Sequence, residues 1–386
     1  MTAFVLTARA GADATLPNAV IARPQAVAIS TRRCTLQSLS FAFERFMNRP
    51  YPLAALLLAL LAFLPALPVS AQGILPAFGR DRSGTVGFQF LKVPTDARSI
   101  GLSQSVVTTA EDASSLLYNP ALAARAGGLS LNLSRASHFE GTLFTTSYAG
   151  LLIPAGPVVV GLSIQSLDSD EMDVTTEFQP TGTGQTFRFV DLAAGLTVSQ
   201  SLTDLFSYGV TVRYIRESVF ELTTQTATVD LGIAYDVGST GARIGVAIRN
   251  FGLDATPDGE ISRVDPNAPG GVATTDDFES ITPPTTFLLG LSYDLMRASP
   301  DHALTVASQL YRPNDNTETL GLAAEYTFKG LLILRGGYRL GVEEYRGSLG
   351  AGLRIPGLGE DARVDYGYQS MEFLGDVHAF SLNVTL

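Results

Sequence analysis

Between Phe206 and Tyr214 apolar and polar residues alternate without a break. Phe206, Tyr208, Val210, Val212 and Tyr214 fall on one side, Ser207, Gly209, Thr211 and Arg213 on the other. From Thr226 to Val237 the pattern returns, with Ala227, Val229, Leu231, Ile233, Tyr235 and Val237 against Thr226, Thr228, Asp230, Gly232, Ala234 and Asp236. A period of two puts successive side chains on opposite faces of a pleated strand, and no helix produces it. Further runs are Phe287–Leu295, Leu320–Phe328 and Arg363–Tyr368. In all, about fourteen segments are expected: 128–136, 142–152, 157–167, 186–200, 205–220, 224–237, 242–250, 284–296, 302–312, 317–329, 331–340, 345–355, 361–371 and 376–386.

Strands of this length with two unlike faces fit either a soluble sandwich or a membrane barrel. Charged residues make up only 16% of the 386-residue chain and mean hydropathy is positive at +0.20. That composition excludes a disordered chain. Alternation running to the last residue (Phe380, Leu382, Val384, Leu386) and Tyr and Phe near the ends of the apolar faces favour the barrel. An even strand count lets the sheet close, leaving no open edge in lipid. The inward face is then rich in Gly, Ser and Thr, with isolated charges at Asp191, Arg213, Asp230, Arg249, Asp294, Glu325, Arg335 and Asp365. The expected fold is all-β: a transmembrane antiparallel barrel of about fourteen strands over 128–386, behind an N-terminal plug at 72–127 with a short helix.

Residues 52–66, PLAALLLALLAFLPA, form an uncharged core preceded by Arg45 and Arg49 and closed by Val69-Ser70-Ala71. Positive flank, short apolar core and small-residue exit are the parts of a secretory signal peptide. Cleavage is expected after Ala71, and the natural start at Met47, since 71 residues exceed the usual signal length. The exported chain then lacks Cys34, the only cysteine, which suits an oxidising envelope. A net charge of -11 with two lysines argues against nucleic acid as a partner.

Residues 85–127 do not alternate. Asp112 to Leu117 is a short helix candidate, with Glu111 and Asp112 at its positive end and Pro120 expected to end it. Arg98 is a candidate to pair with an interior carboxylate such as Asp230 or Glu325 and so hold the plug in the lumen. His138, His302 and His378 are scattered, and no metal-ligand spacing occurs, so neither an enzyme nor a cofactor is expected. The carboxylates of 165–177 and the long acidic segment 251–283 read as solvated loops, the second a candidate docking region.

The run Phe90-Leu91-Lys92, Ala97-Arg98, Gly101, Ala110, Asp112 and Tyr118-Asn119-Pro120-Ala121 resembles the N-terminal signature of the PorV/PorQ family, outer-membrane barrels related to the FadL fatty-acid transporter. Leu102-Ser103 and Leu122-Ala123 stand where family members usually carry Met-Gly and Gly-Leu. The resemblance implies an outer-membrane location, assembly by the barrel-assembly machinery, and a role in type IX secretion. Its partners would be membrane lipid, the C-terminal domains of secreted cargo and other secretion-system subunits. The alternative is FadL-like passive uptake of long-chain fatty acids or other hydrophobic compounds, with plug residues such as Leu91, Leu116 and Leu117 lining a pocket.

Overall fold

The computed structural model describes residues 84–386 apart from 139–143, 178, 265–271, 297–298, 343–344, 360 and 373–374. The signal segment, its cleavage after Ala71 and the start at Met47 lie outside the described residues.

Fourteen antiparallel strands close into a barrel. In chain order they are β1 (Ser130–His138), β2 (Phe144–Ala155), β3 (Val158–Asp168), β6 (Phe189–Ser201), β7 (Phe206–Val219), β8 (Leu222–Asp236), β9 (Ala242–Gly252), β12 (Thr286–Asp294), β13 (His302–Pro313), β14 (Thr319–Phe328), β15 (Leu332–Leu340), β16 (Tyr345–Arg354), β17 (Asp361–Met371) and β18 (Val377–Thr385). Two small pairs lie outside the wall: β4 (Met172–Asp173) with β5 (Thr186–Phe187), and β10 (Ile261–Val264) with β11 (Val272–Thr275). Each barrel strand pairs with its neighbours in the barrel, and β1 closes the ring on β18 from Ser130↔Thr385 to Ser137↔His378.

The alternation separates the two faces as the sequence implies. Outward leucines and valines are bare of protein, with Leu196 52% and Val212 54% exposed, while their strand neighbours Thr197, Thr211 and Arg213 are buried. A closed wall satisfies its backbone internally, and an apolar outer face needs an apolar solvent. The chain is therefore a transmembrane barrel. Connections at one rim are short, such as 156–157, 202–205 and 329–331; the other rim carries 169–188 and 253–285.

The structure revises several boundaries. The segment expected as loop 251–283 begins only after Gly252, and its middle is the β10–β11 hairpin. Its end returns to the lumen, where Ile281 bridges Ala255 and Thr282 bridges Val86 of the plug. The strand expected from 186 starts at Phe189, because Thr186–Phe187 is taken by Met172–Asp173.

Candidate functional site

The lumen is filled by the chain between Val86 and Arg125. A 3-10 turn at Gln89–Lys92 leads to helix α1 (Ala97–Gly101), whose N-cap Asp96 accepts from the Ser99 N–H at 2.9 Å. A 3-10 helix, Ala113–Leu117, is capped by Asp112, and another, Pro120–Arg125, by Asn119. Asp and Asn accept from orphan amides at such starts. Pro120 therefore opens a helix rather than only ending one: it occupies the first turn, where a missing N–H costs nothing. Helix α1 escaped sequence reading because five residues carry too little periodicity.

The wall meets this plug through glycine. A Cβ on Gly232 would lie 2.1 Å from Asn119 Oδ1, and one on Gly209 2.4 Å from the Pro120 carbonyl oxygen. The Asn119 side-chain amide donates to the Val107 and Ile233 carbonyls at 2.9 and 3.1 Å, tying the turn to plug and to β8. Tyr118 and Ser99 pair their hydroxyls, joining two plug pieces. Phe90, Leu91, Gly101 and Ala121 are buried with the rest of the motif apart from the half-buried Lys92.

The sequence-expected charges fall into groups. Arg98 is held by Glu325, with Nε and Nη2 bonds of 2.9 and 3.0 Å, and Asp230 is not its partner. Glu325 also receives Arg335 at 2.6 Å, Arg335 reaches Asp365 at 2.7 Å, Asp365 receives Arg363 at 2.6 Å, and Arg363 reaches Asp112 at 2.8 Å. This buried chain alternates three cations with three carboxylates, starting and finishing on the plug and crossing β14, β15 and β17 between. Arg363 was missing from the expected charges, although it shares a face with Asp365 two positions on. Asp230 pairs instead with Arg213 at 2.8 Å and accepts the Asn250 N–H at 2.6 Å, where β9 bulges against β8. Arg213 also donates to the Leu116 carbonyl at 3.2 Å. Arg249 lies over the Tyr118 ring at 5.8 Å. At the short-turn rim Asp294 binds Arg243 at 2.9 Å, and Arg125 of the plug binds Asp236 at 2.8 Å.

Asp191 stands apart. It lies directly across from Glu217 in the β6–β7 register, and among the described residues no ion pair reaches either. Below this pair are Ala193 and Ile215, packed with Leu167 and with Phe88, Phe90 and Leu91 of the plug. Phe144, Val93 and Ile281 pack on the same cluster. Above it Phe189 meets Phe144 and Phe187 at 6.1 and 6.2 Å between centroids, and Phe187 meets Phe220 at 6.1 Å. The outward residues at this level are mixed, with Val190 and Leu192 on β6 beside Arg216 and Ser218 on β7. Glu217 entered no sequence expectation, although it shares a face with Arg213.

The histidines do not converge. His138 bonds Thr146 at 2.9 Å inside the wall, while His302 and His378 pair with Tyr326 and Tyr366. Among the described residues no three His, Cys, Asp or Glu side chains gather as a metal site. A crevice beside Arg98 and Glu325, lined also by Leu102, Ser105 and Thr305, has room for about one water.

No family's sequence profile matches the chain, and no curated protein matches it in sequence. Solved structures do match in shape. The CymD monoaromatic hydrocarbon channel superposes with a TM-score of 0.53 at 12% identity, covering 76% of this chain and 98% of that one. The toluene transporter TbuX of Ralstonia pickettii gives 0.51 at 14%, covering 74% and 98%. A FadL homologue of Pseudomonas aeruginosa gives 0.50 at 13%, covering 76% and 98%. At such identities the likeness establishes the fold alone, a fourteen-strand barrel whose lumen is filled by its own N-terminal segment. The PorV/PorQ resemblance draws no support from these comparisons.

Proposed function

We propose that the protein is an outer-membrane channel for passive uptake of small hydrophobic compounds, aromatic ones included. The observation that carries this reading is the buried apolar cluster toward the long-loop rim, built jointly by plug and wall from Phe88, Phe90, Leu167 and Ile215, with Phe144 packed on it and Phe189 against Phe144. Apolar and aromatic side chains are what a hydrocarbon pocket is lined with, once the cluster parts. The rim with the long loops faces outward in barrels of this kind, so this cluster would be the first part of plug and wall that a solute meets. The fold adds support by analogy only, because one fold hosts many functions.

Uptake across this barrel requires the plug to shift, since the lumen beneath the cluster is packed. The resemblance to secretion components supplies a second reading, a cargo-binding role in type IX secretion. The exposed acidic segment around β10 and β11 favours it as a docking surface. The motif residues that carry the resemblance, Arg98, Asp112 and Asn119, are buried and engaged with the wall or with neighbouring plug residues, so they are spent on holding the plug under either reading.

The test compares a deletion strain with the complemented strain for the initial rate of uptake of labelled toluene and labelled oleate at micromolar supply. Slower uptake of either on deletion supports the channel. Equal rates for both, with secreted proteins co-purifying after light cross-linking, would transfer the assignment to secretion.

A further inference from the structure

Inward residues of the wall differ from side to side in how far solvent follows them. On β6 and β7 the plug seals the lumen from the short-turn rim upward: Ser199, Ser207, Thr197 and Thr211 are all 0% exposed. On β13 and β14 burial rises in steps instead. Ala303 at that rim is exposed, Thr305, Ala307, Thr327 and Glu325 on the same face are half-buried, and only Gln309 and Ala323 beyond them are buried. Gln309 ends the series, because its side-chain oxygen accepts the Val107 N–H of the plug at 3.0 Å. An inlet therefore leads from the short-turn rim to the crevice beside Arg98 and Glu325.

Two plug hydroxyls that line this crevice have nothing to bond. Ser105 Oγ and Thr109 Oγ1 are buried, and among the described residues neither has a hydrogen-bond partner. A buried hydroxyl without a partner is destabilising, and two of them on one crevice point to a molecule that bonds both. Across from them Glu325 Oε1 accepts one hydrogen bond, from Arg98 Nη2, while Oε2 accepts two, from Arg98 and Arg335. A carboxylate oxygen takes about two donors, so Oε1 has room for one more.

The occupant must be small, neutral, and able both to donate and to accept. The space suits about one water. A cation there would meet Arg98 and Arg335, and an anion would meet Glu325. We infer that the crevice is a water-binding site, fed from the short-turn rim, in which one water bridges the Ser105 and Thr109 hydroxyls of the plug to Glu325 of the wall. A bridging water is nearly as good as a direct hydrogen bond. It therefore adds a strut between plug and β14 beside the Arg98–Glu325 ion pair, where the ion pair alone would leave two hydroxyls unmatched. The strut concerns how the plug is held, and it stands whether or not the barrel takes up hydrophobic compounds.

A wet and a dry crevice answer the same substitution with opposite sign. In a dry one, Thr109→Val or Ser105→Ala deletes an unmatched hydroxyl, and local opening of the plug slows or stays as it was. In a wet one, each deletes a bond to the bridging water, and opening speeds up by about fivefold. Hydrogen exchange followed by mass spectrometry on peptides covering 102–112 of the purified full-length protein in mild detergent reads the difference. Both variants are small changes of shape, and unchanged heat-modifiable migration on gels checks that they fold. The expected result is faster exchange in both, with Thr109→Ser, which keeps the hydroxyl, close to wild type. Slower or unchanged exchange in either variant overturns the bridge. The inlet is read separately with single cysteines in a Cys34→Ser background, Cys34 being the only cysteine. Ala307→Cys is expected to react with 2-aminoethyl methanethiosulfonate about tenfold or more faster than Ala193→Cys, since Ala193 is 2% exposed on the sealed side. Comparable rates overturn the inlet. Thr305→Leu, added below Ala307, should slow that labelling, and an unslowed rate would refute entry from the short-turn rim.

Discussion

Replacing Glu325 with Gln should loosen the plug while leaving the barrel intact. Glu325 is the only carboxylate that Arg98 reaches among the ion pairs described, and it is shared with Arg335. Gln keeps the shape and removes the charge, so two arginines, each under 10% exposed at the side chain, are left facing one neutral amide. Breaking a buried pair by removing one partner costs about 3–5 kcal/mol. Arg335 keeps Asp365 at 2.7 Å and Arg98 keeps the Thr109 carbonyl at 2.9 Å, which places the expected loss toward the lower end. Arg98→Met should cost less still, because Glu325 then retains its 2.6 Å bond to Arg335. At about 1.4 kcal/mol per decade, a loss of 3 kcal/mol speeds local opening by about two orders of magnitude. Hydrogen exchange followed by mass spectrometry reads this directly on peptides covering 97–126, with peptides from β6 and β7 as the reference. The order E325Q faster than R98M faster than wild type is expected, with the reference strands unchanged. Strand and plug peptides accelerating together would show that plug and barrel open as one unit. No acceleration in E325Q would show that the charge chain does not hold the plug.

Gly209→Ala and Gly232→Ala each drive a methyl into the Asn119–Pro120 turn and should cost about 1–3 kcal/mol of plug docking by overpacking, read by the same exchange experiment. Asn119→Ala removes a helix cap and two bonds to carbonyls, and should loosen 113–126 by about 2–4 kcal/mol, with exchange near α1 changing less. Leu196→Arg places a charge on the lipid face and should lower barrel stability by about 2–4 kcal/mol in reversible denaturant unfolding from lipid vesicles. The same Arg placed at Thr223, outward at the long-loop rim, should cost at most about 1 kcal/mol.

The wall was legible in the sequence because lipid enforces a strict rule. Each strand must show apolar residues on every second position, as runs such as Tyr208–Tyr214 or Leu320–Phe328 do. The rule weakens where lipid stops. Thr186–Phe187 alternates as well as its neighbours do, yet it pairs with Met172–Asp173 above the wall, and nothing in local pattern separates the two cases. The plug was legible as an interruption of period two, but not as a shape. Its helices run four to six residues, too short for a period, and are fixed by caps and by glycines contributed by strands up to 270 positions away, such as Gly367 against Ala97. Arg98 could be read as a tether, while its choice of Glu325 over Asp230 depends on barrel register. Arg363 and Glu217 lay on predicted inward faces beside residues that were singled out, so alternation held that information.

The distribution of charge around the lumen bears on how a packed barrel conducts. The buried salt bridges between plug and wall run through Glu325 on β14 and Arg363 on β17, with Lys92–Asp315 above them, while Arg125–Asp236 and Glu111–Arg243 tie the plug to β8 and β9 at the short-turn rim. On β3, β6 and β7 the plug rests instead on apolar contacts at Leu167, Ala193 and Ile215, on Gly209, and on single bonds such as Arg213 to the Leu116 carbonyl. Separating apolar surfaces to admit an apolar solute exchanges like contacts for like, whereas parting a buried ion pair exposes two charges to a medium that cannot solvate them. On the uptake reading, a solute entering at the Phe88–Phe90 cluster would therefore descend along β3, β6 and β7 while the β14–β17 side stays latched. Ala193→Arg, which puts a bulky charge on that route and far from the latch, is expected to abolish uptake and leave exchange of 97–101 unchanged. Ala323→Arg on the latched wall, beside the Arg98 crevice, is expected to disturb that exchange instead. Uptake that survives Ala193→Arg in a correctly folded barrel would remove the β3–β7 side from the route.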